Sequence, residues 1–140
     1  MTPSPSLRTP PTILVVDDEP QIQALVCKAL ARLNYTVLSS RHAVHAIQLC
    51  AHRQEPIHLL ITDILMPSMH GQELASQVRV LIPDIRVLYM TGFDDSHLLN
   101  RVVPGEELAM LRKPFKMDDL LKTVQQILAP SIGGTRAGES

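Results

Sequence analysis

Short apolar runs alternate along this chain with segments in which apolar residues recur every three or four positions. Ile13 to Val16 (ILVV) is a near-continuous apolar run, as expected of a strand covered by helices on both faces. Residues 21–33 place Ile22, Leu25, Val26, Ala29 and Leu33 on one helical face. Residues 35–39 read as a short strand, and residues 42–53 as a helix with Ala43, Ala46, Ile47 and Cys50 inward. HLLIT, residues 58–62, is a second central strand that ends at Asp63. Residues 72–81 are helical and stop before Pro83, because a residue preceding proline disfavours the α region. RVLYM, residues 86–90, is a strand ending at Thr91-Gly92, and residues 94–102 form a short helix closed by Pro104-Gly105. AMLR, residues 109–112, is the last strand. Residues 117–128 give the clearest helix, with Met117, Leu120, Leu121, Val124, Ile127 and Leu128 on one face. Asp118 and Asp119 fall in its first turn, where the helix dipole favours acids.

Alternating β and α units of this kind predict an α/β fold, a doubly wound five-stranded parallel sheet with helices on both faces and right-handed crossovers. Ligands of such sheets bind at the carboxyl ends of the strands, near the point where strand order reverses. The folded part is expected over residues 12–129. Residues 1–11, with four prolines, read as a disordered lead, and residues 130–140 as a tail.

Composition narrows the classes of function. The 140 residues are 45% hydrophobic and 19% charged, ordinary for one soluble domain with a real core. A formal net charge of −1 gives no electrostatic case for direct nucleic-acid or membrane binding. The apolar runs are too short to span a bilayer, and the first residues lack the apolar region of a secretory signal. Cys27 and Cys50 make no disulfide framework and suit a reducing cytoplasm. They read as two small apolar helix residues.

The polar strand ends carry the candidate chemistry. The first strand runs into Asp17-Asp18-Glu19, the third ends at Asp63, the fourth at Thr91, and the fifth at Lys113-Pro114. A parallel sheet brings these groups to one edge. Carboxylates gathered there repel one another. An oxygen-only donor set without His or Cys suits Mg²⁺, and Lys113 adds a fixed positive charge. Carboxylates, Mg²⁺, a hydroxyl and a lysine are the parts needed to receive a phosphoryl group, with a carboxylate as nucleophile. On these grounds either Asp17 or Asp63 can attack. The alternative reading of Asp17-Asp18-Glu19, a polar helix start before Pro20, is weakened by Asp63, Thr91 and Lys113 at the other strand ends.

VVDDEP at 15–20, DILMPSMHG at 63–71, YMTG at 89–92 and LRKPF at 111–115 together resemble the receiver domain of two-component response regulators. The resemblance covers roughly residues 12–129 and implies a flavodoxin-like (βα)5 fold. It implies Asp63 as the phospho-acceptor, and Asp17, Asp18, Asp63 and the backbone carbonyl of Leu65 as the Mg²⁺ site. Thr91 would bond the phosphoryl oxygen, and Lys113 would pair with it, aimed by a cis bond before Pro114. Pro67 and Gly71 fit the loop after the acceptor. The donor would be a phosphohistidine on a histidine kinase or phosphotransfer protein. A downstream protein would read the face made by helix 94–102, strand 109–112 and helix 117–128, with a monomer or a weak dimer through that face. The chain would be no enzyme beyond its own phosphorylation and autodephosphorylation.

Some positions depart from that pattern. Met110 stands where receivers usually have an aromatic switch residue, so Thr91 cannot couple to a rotating ring. Leu65 and Phe93 stand at positions whose side chains, by the resemblance, would flank the path of the hydrolytic water; both are apolar, and slow dephosphorylation is expected. His70, where an acid is often found, reads as a solvated loop residue. Asp94 and Asp95 read as helix-start residues, and His42 with His45 as surface. A competing class is an aspartate-nucleophile phosphatase, but that chemistry usually wants a second acid at position 65 and a capping element. A dinucleotide binder would need G-x-G-x-x-G after the first strand. The stretch VVPGEELAMLRKPFKMDDLLKTV also resembles receivers of hybrid sensor kinases, so a receiver excised from a hybrid kinase is an alternative to a stand-alone one.

Overall fold

Each apolar run described by the structure, a computed structural model covering residues 10–67, 69–92 and 109–129, lies in a single parallel sheet. The strands are β1 (Thr12–Val16), β2 (Thr36–Ser40), β3 (Leu59–Asp63), β4 (Arg86–Thr91) and β5 (Ala109–Arg112). The helices are α1 (Pro20–Arg32), α2 (Ala43–Ala51), α3 (Gly71–Leu81) and α4 (Met117–Leu128). The strand order is β2-β1-β3-β4-β5, and every pairing is parallel. The chain therefore steps from β1 to one side, then returns to the other side with β3. The reversal lies between β1 and β3, where a doubly wound sheet opens its crevice.

Pleat alternation divides the core in two. Leu14, Val16, Leu60, Val87 and Tyr89 pack with Ala43, Ala46 and Cys50 of α2 and Leu74, Ala75 and Val78 of α3. Ile13, Val15, Leu59, Ile61, Leu88 and Met90 pack with Val26 and Leu30 of α1 and Leu120 and Val124 of α4. Every residue of β1 and β3 is buried, which accounts for their continuous apolar runs. Full burial of each large aliphatic side chain contributes about 1.5–3 kcal/mol. Cys27 and Cys50 are free and belong to opposite halves of the core, so they act as small apolar residues.

Among the described residues the expected strands and helices are present within a residue or two, and β5 and α4 have the predicted limits. Helix α1 is rolled differently from its predicted face. Leu30 is buried, whereas Leu25 is 56% exposed. The buried arc is centred on Ile22, Val26, Ala29 and Leu30, and Leu25 lies just beyond its edge. Asn34, with φ of 68°, follows the end of α1 in the left-handed region, where asparagine is among the few tolerated side chains. The predicted helix 94–102, with Phe93, Asp94 and Asp95, lies outside the described residues. So do nearly all of the lead and the tail.

Candidate functional site

Asp17 directly follows β1, and Asp63 is the last residue of β3. Val16 pairs with Thr62 in the register, so the two acids emerge side by side at the reversal point. Alternation puts both on the α1 and α4 side of the sheet. Carboxylate oxygens of Asp17, Asp18 and Asp63 lie within 4.8 Å of one another. Asp17 and Asp63 are buried, and Asp18 is the most accessible of the three.

The sequence folds this way for local reasons. Pro20 starts α1 with Glu19 at the preceding cap position, although no side chain caps the helix. Asp17 Oδ1 instead accepts the Glu19 backbone N–H at 2.8 Å, which fixes its carboxylate. Asp17 is also held through its backbone, whose N–H donates to the Ser40 carbonyl at 3.2 Å. The Gln23 amide of α1 donates to that same carbonyl at 2.6 Å. The acidic run is thus both a helix start and a wall of the site.

Lys113 enters from the end of β5, anchored by its backbone N–H donating to the Thr91 carbonyl at 2.7 Å. The Lys113–Pro114 bond is cis. The ammonium donates to Asp63 Oδ2 at 3.0 Å, Glu19 Oε1 at 3.0 Å and Asp17 Oδ2 at 3.3 Å. Its three N–H groups therefore meet three carboxylates. Burial works to lower the Lys113 pKa, but the hydrogen bonds to Glu19 and Asp63 and the charges of Asp63 and Asp17 outweigh it and raise it. The lysine stays charged.

Burial pushes the Asp63 carboxyl up to about 6 from its usual 3.8, against the hydrogen bond and charge of Lys113 and with help from Asp17 and Asp18. Burial likewise raises Asp17, opposed by the Glu19 N–H and Lys113. One ammonium does not fully compensate three crowded acids, so the pocket has an electrostatic deficit that a further cation would fill.

The sign of the Asp63 shift sets a prediction for the metal-free protein. A carboxyl raised on folding stabilises the folded state when protonated. That contribution falls as pH rises from about 4 through about 6. Asp63→Asn, which removes the ionisation, should raise stability by on the order of 1–2 kcal/mol at about pH 7.5 and by little near pH 4. Denaturant unfolding in chelator at the two pH values checks this. An equal or lower stability of the variant at the higher pH would contradict it.

The loop after Asp63 is held by close backbone approach. Ile64 N–H donates to the Met90 carbonyl at 3.0 Å, and Gly71 N–H donates to the Ile64 carbonyl at 2.7 Å. A Cβ at Gly71 would lie 2.2 Å from the Asp63 carbonyl oxygen and 3.1 Å from Thr62 Cγ2. Glycine is required here by space. Leu65 is 51% exposed beside the acid pocket, and Pro67 lies in the same loop.

Thr91 is buried at the end of β4, one residue past Met90, the register partner of Asp63. Met110 is paired with Tyr89 and is 44% exposed, on the side of the sheet away from α4. His45 lies in α2 with its Nδ1 2.9 Å from the Ser40 hydroxyl, whereas His42 caps α2 by position only. His70 likewise precedes α3 without a side-chain cap. Among the described residues, Asp17, Asp18 and Asp63 form the only cluster of three or more acid, His or Cys ligands, and none of the described helices is long and apolar enough to cross a membrane. Two features were not foreseen from the sequence, the third arm of Lys113 onto Glu19 and the reason for Gly71. The adjacency of Glu19 to the acid pair was the only signal of the first.

An open parallel sheet that gathers an acid pocket and a lysine at the carboxyl ends of its strands defines a doubly wound α/β domain with a charged strand-end site. The chain belongs to the response regulator receiver domain family, whose sequence profile matches residues 13–125. It is 31% identical over 116 residues to the response regulator receiver protein CpdR of Brucella abortus, covering 83% of this chain and 95% of that protein. It is 26% identical over 117 residues to the sensor kinase CckA of the same organism, covering 84% of this chain but only 12% of the kinase. The signal receiver domain of an HD domain-containing protein from Pseudomonas fluorescens superposes with a TM-score of 0.76 at 29% identity, covering 85% of this chain and 94% of that one. The cluster of Asp17, Asp18 and Asp63 with its Lys113 ion pairs matches the phospho-accepting site of receiver domains. It is the site of a domain that catalyses its own phosphorylation and dephosphorylation.

Proposed function

We propose that Asp63 is the phospho-acceptor, that Lys113 and Thr91 hold the phosphoryl oxygens, and that the donor is a phosphohistidine on a histidine kinase or phosphotransfer protein. The observation that carries this reading is Lys113 Nζ at 3.0 Å from Asp63 Oδ2 inside the acid pocket. A free Asp63 oxygen attacks phosphorus, the P–N bond breaks, and the imidazole leaves with its electron pair and takes up a proton. The product is an acyl phosphate whose added charge sits against Lys113.

The all-oxygen donors of Asp17, Asp18 and Asp63 fit a hard divalent cation, and we assign Mg²⁺, with the Leu65 carbonyl as a further ligand. When bound, such an ion neutralises charge on the phosphoryl oxygens. The residues themselves orient the acceptor: Asp17 is locked by the Glu19 N–H, and Asp63 is positioned by the backbone bonds of its loop.

Thr91 lies within β4 next to β5, so its movement toward a phosphoryl group would act on the Met110 side of the sheet. We assign partner recognition to the face that includes β5 and α4. Met110 in place of an aromatic would transmit through packing instead of ring rotation. The same receiver chemistry serves whether the unit acts alone, as the near-full coverage of CpdR suggests, or within a larger kinase, as the match to CckA suggests.

Beryllium fluoride, a phosphoryl mimic, tests the acceptor assignment. With Mg²⁺ present throughout, beryllium fluoride at about 100 times its own Kd should stabilise the wild type by about 2.7 kcal/mol beyond Mg²⁺ alone. The gain should vanish in Asp63→Asn. An equal gain in that variant would contradict the assignment.

Leu65 sets a second expectation. Its exposed apolar side chain cannot orient water, so the acyl phosphate should be long-lived. Leu65→Gln should shorten the phosphate half-life about two- to tenfold, the range of one added hydrogen bond. A longer half-life would count against this.

A further inference from the structure

Lys113 has no spare donor. Its three N–H groups are engaged by Asp17 Oδ2, Glu19 Oε1 and Asp63 Oδ2 at 3.3, 3.0 and 3.0 Å. Any phosphoryl oxygen that reaches the ammonium must displace one of these acceptors. They are not equally easy to release. The Asp17 side chain is 0% exposed and is pinned by the Glu19 N–H. The Asp63 side chain is 7% exposed and carries the acceptor atom itself. The Glu19 side chain is 56% exposed. It can swing into water and recover full hydration, and its backbone bond to Asp17 does not depend on where its carboxylate lies.

We propose that Glu19 is a positioning residue that serves as an exchangeable counter-ion for Lys113, occupying the lysine in the resting domain and yielding it to the incoming phosphoryl group. The inference rests on the assignment of Asp63 as acceptor and adds a role for a neighbour that touches no reacting atom. Glu19 steadies Lys113 near the acid pocket, and it competes with every anionic donor for the same N–H. The contact is an exposed ion pair, so its release costs little, yet it must be broken in each turnover.

The test compares Glu19→Gln, Glu19→Ala and Glu19→Asp with the wild type. Gln keeps the shape and loses the charge. Ala removes the whole contact. Asp keeps the charge but is one methylene too short to hold Lys113 at the observed distance. Two measurements are made in Mg²⁺: the affinity for beryllium fluoride, and KM and kcat for phosphorylation by acetyl phosphate. Each variant should bind beryllium fluoride about two- to fivefold more tightly, the span of an exposed ion pair. KM for acetyl phosphate should fall by a similar factor, with kcat nearly unchanged. The gain should disappear when Lys113→Met is added.

An Asp variant that matches the wild type, while Gln shows the gain, would mean that general repulsion of anions is at work, and it would overturn the proposal. Unchanged affinity in all three variants would also overturn it, leaving the Asp63 assignment intact. A wild type that neither binds beryllium fluoride nor accepts phosphate would overturn the acceptor assignment and this inference together. A merely structural role for Glu19 would shift melting temperature without moving KM apart from kcat.

Discussion

Gly71→Ala is expected to destabilise the protein by about 3 kcal/mol or more and to disable the site with it. The new methyl would sit 2.2 Å from the Asp63 carbonyl oxygen. That atom is backbone, so no side-chain rotation relieves the clash. Either α3 must move away from β3, or the end of β3 must move. Both paths strain the bond from Gly71 N–H to the Ile64 carbonyl, 2.7 Å long. Leu74, Ala75 and Val78 of α3 are buried in the core shared with β3 and α2, so withdrawal of the helix also opens the core. Displacement of β3 carries Asp63 with it. Denaturant unfolding should show the loss, and residual folded protein should be phosphorylated more slowly. Ser76→Ala, on the exposed side of the same helix, should stay within about 0.5 kcal/mol of wild type. A Gly71→Ala protein as stable as that control would show that the approach of α3 to Asp63 is not tight.

The second large effect is at Lys113. Lys113→Met leaves the buried carboxylates of Asp17 and Asp63 without their counter-charge. Breaking a buried pair on one side costs about 3–5 kcal/mol. Protonation of Asp63, already raised to about 6, caps the penalty, and a loss of roughly 2–3 kcal/mol near neutral pH is expected. Lower pH should reduce the loss, because a protonated acid needs no partner. Mg²⁺ should restore more stability to this variant than to the wild type. Phosphorylation should slow by about 10²–10³, the usual effect of removing one preorganised charge stabiliser. Unfolding in chelator and in Mg²⁺, with the phosphorylation rate alongside, checks both parts. A variant of wild-type stability in chelator would contradict the electrostatic account.

Much of this site was legible in the sequence because the chemistry sits at strand ends. Apolar runs mark β1, β3 and β4, and Asp17 directly after β1, Asp63 closing β3 and Thr91 closing β4 are the polar residues at their carboxyl ends. Parallel connectivity then brings them to one edge without any knowledge of side-chain contacts. Other features depend on how elements are rolled and spaced. Helical periodicity defines an apolar arc but not its edge, so Leu25 and Leu30 exchange roles in α1. Gly71 is visible as a loop glycine, but its closeness to the Asp63 carbonyl follows from how α3 docks. Lys113 lies 96, 94 and 50 positions from Asp17, Glu19 and Asp63, and no local pattern says which acids a flexible ammonium chooses. The three contacts on one nitrogen, and the exposure that makes Glu19 the acceptor most easily released, are set by the packing of the strand ends.

The central claim is that phosphoryl transfer ends on Asp63. Intact-mass spectrometry after incubation with acetyl phosphate and Mg²⁺ tests it most directly. The wild type should gain the mass of one phosphoryl group, the gain should be lost in chelator, and Asp63→Asn should remain unmodified under the same conditions. A wild type that gains no mass, or an Asp63→Asn protein modified to the same extent, would contradict the account.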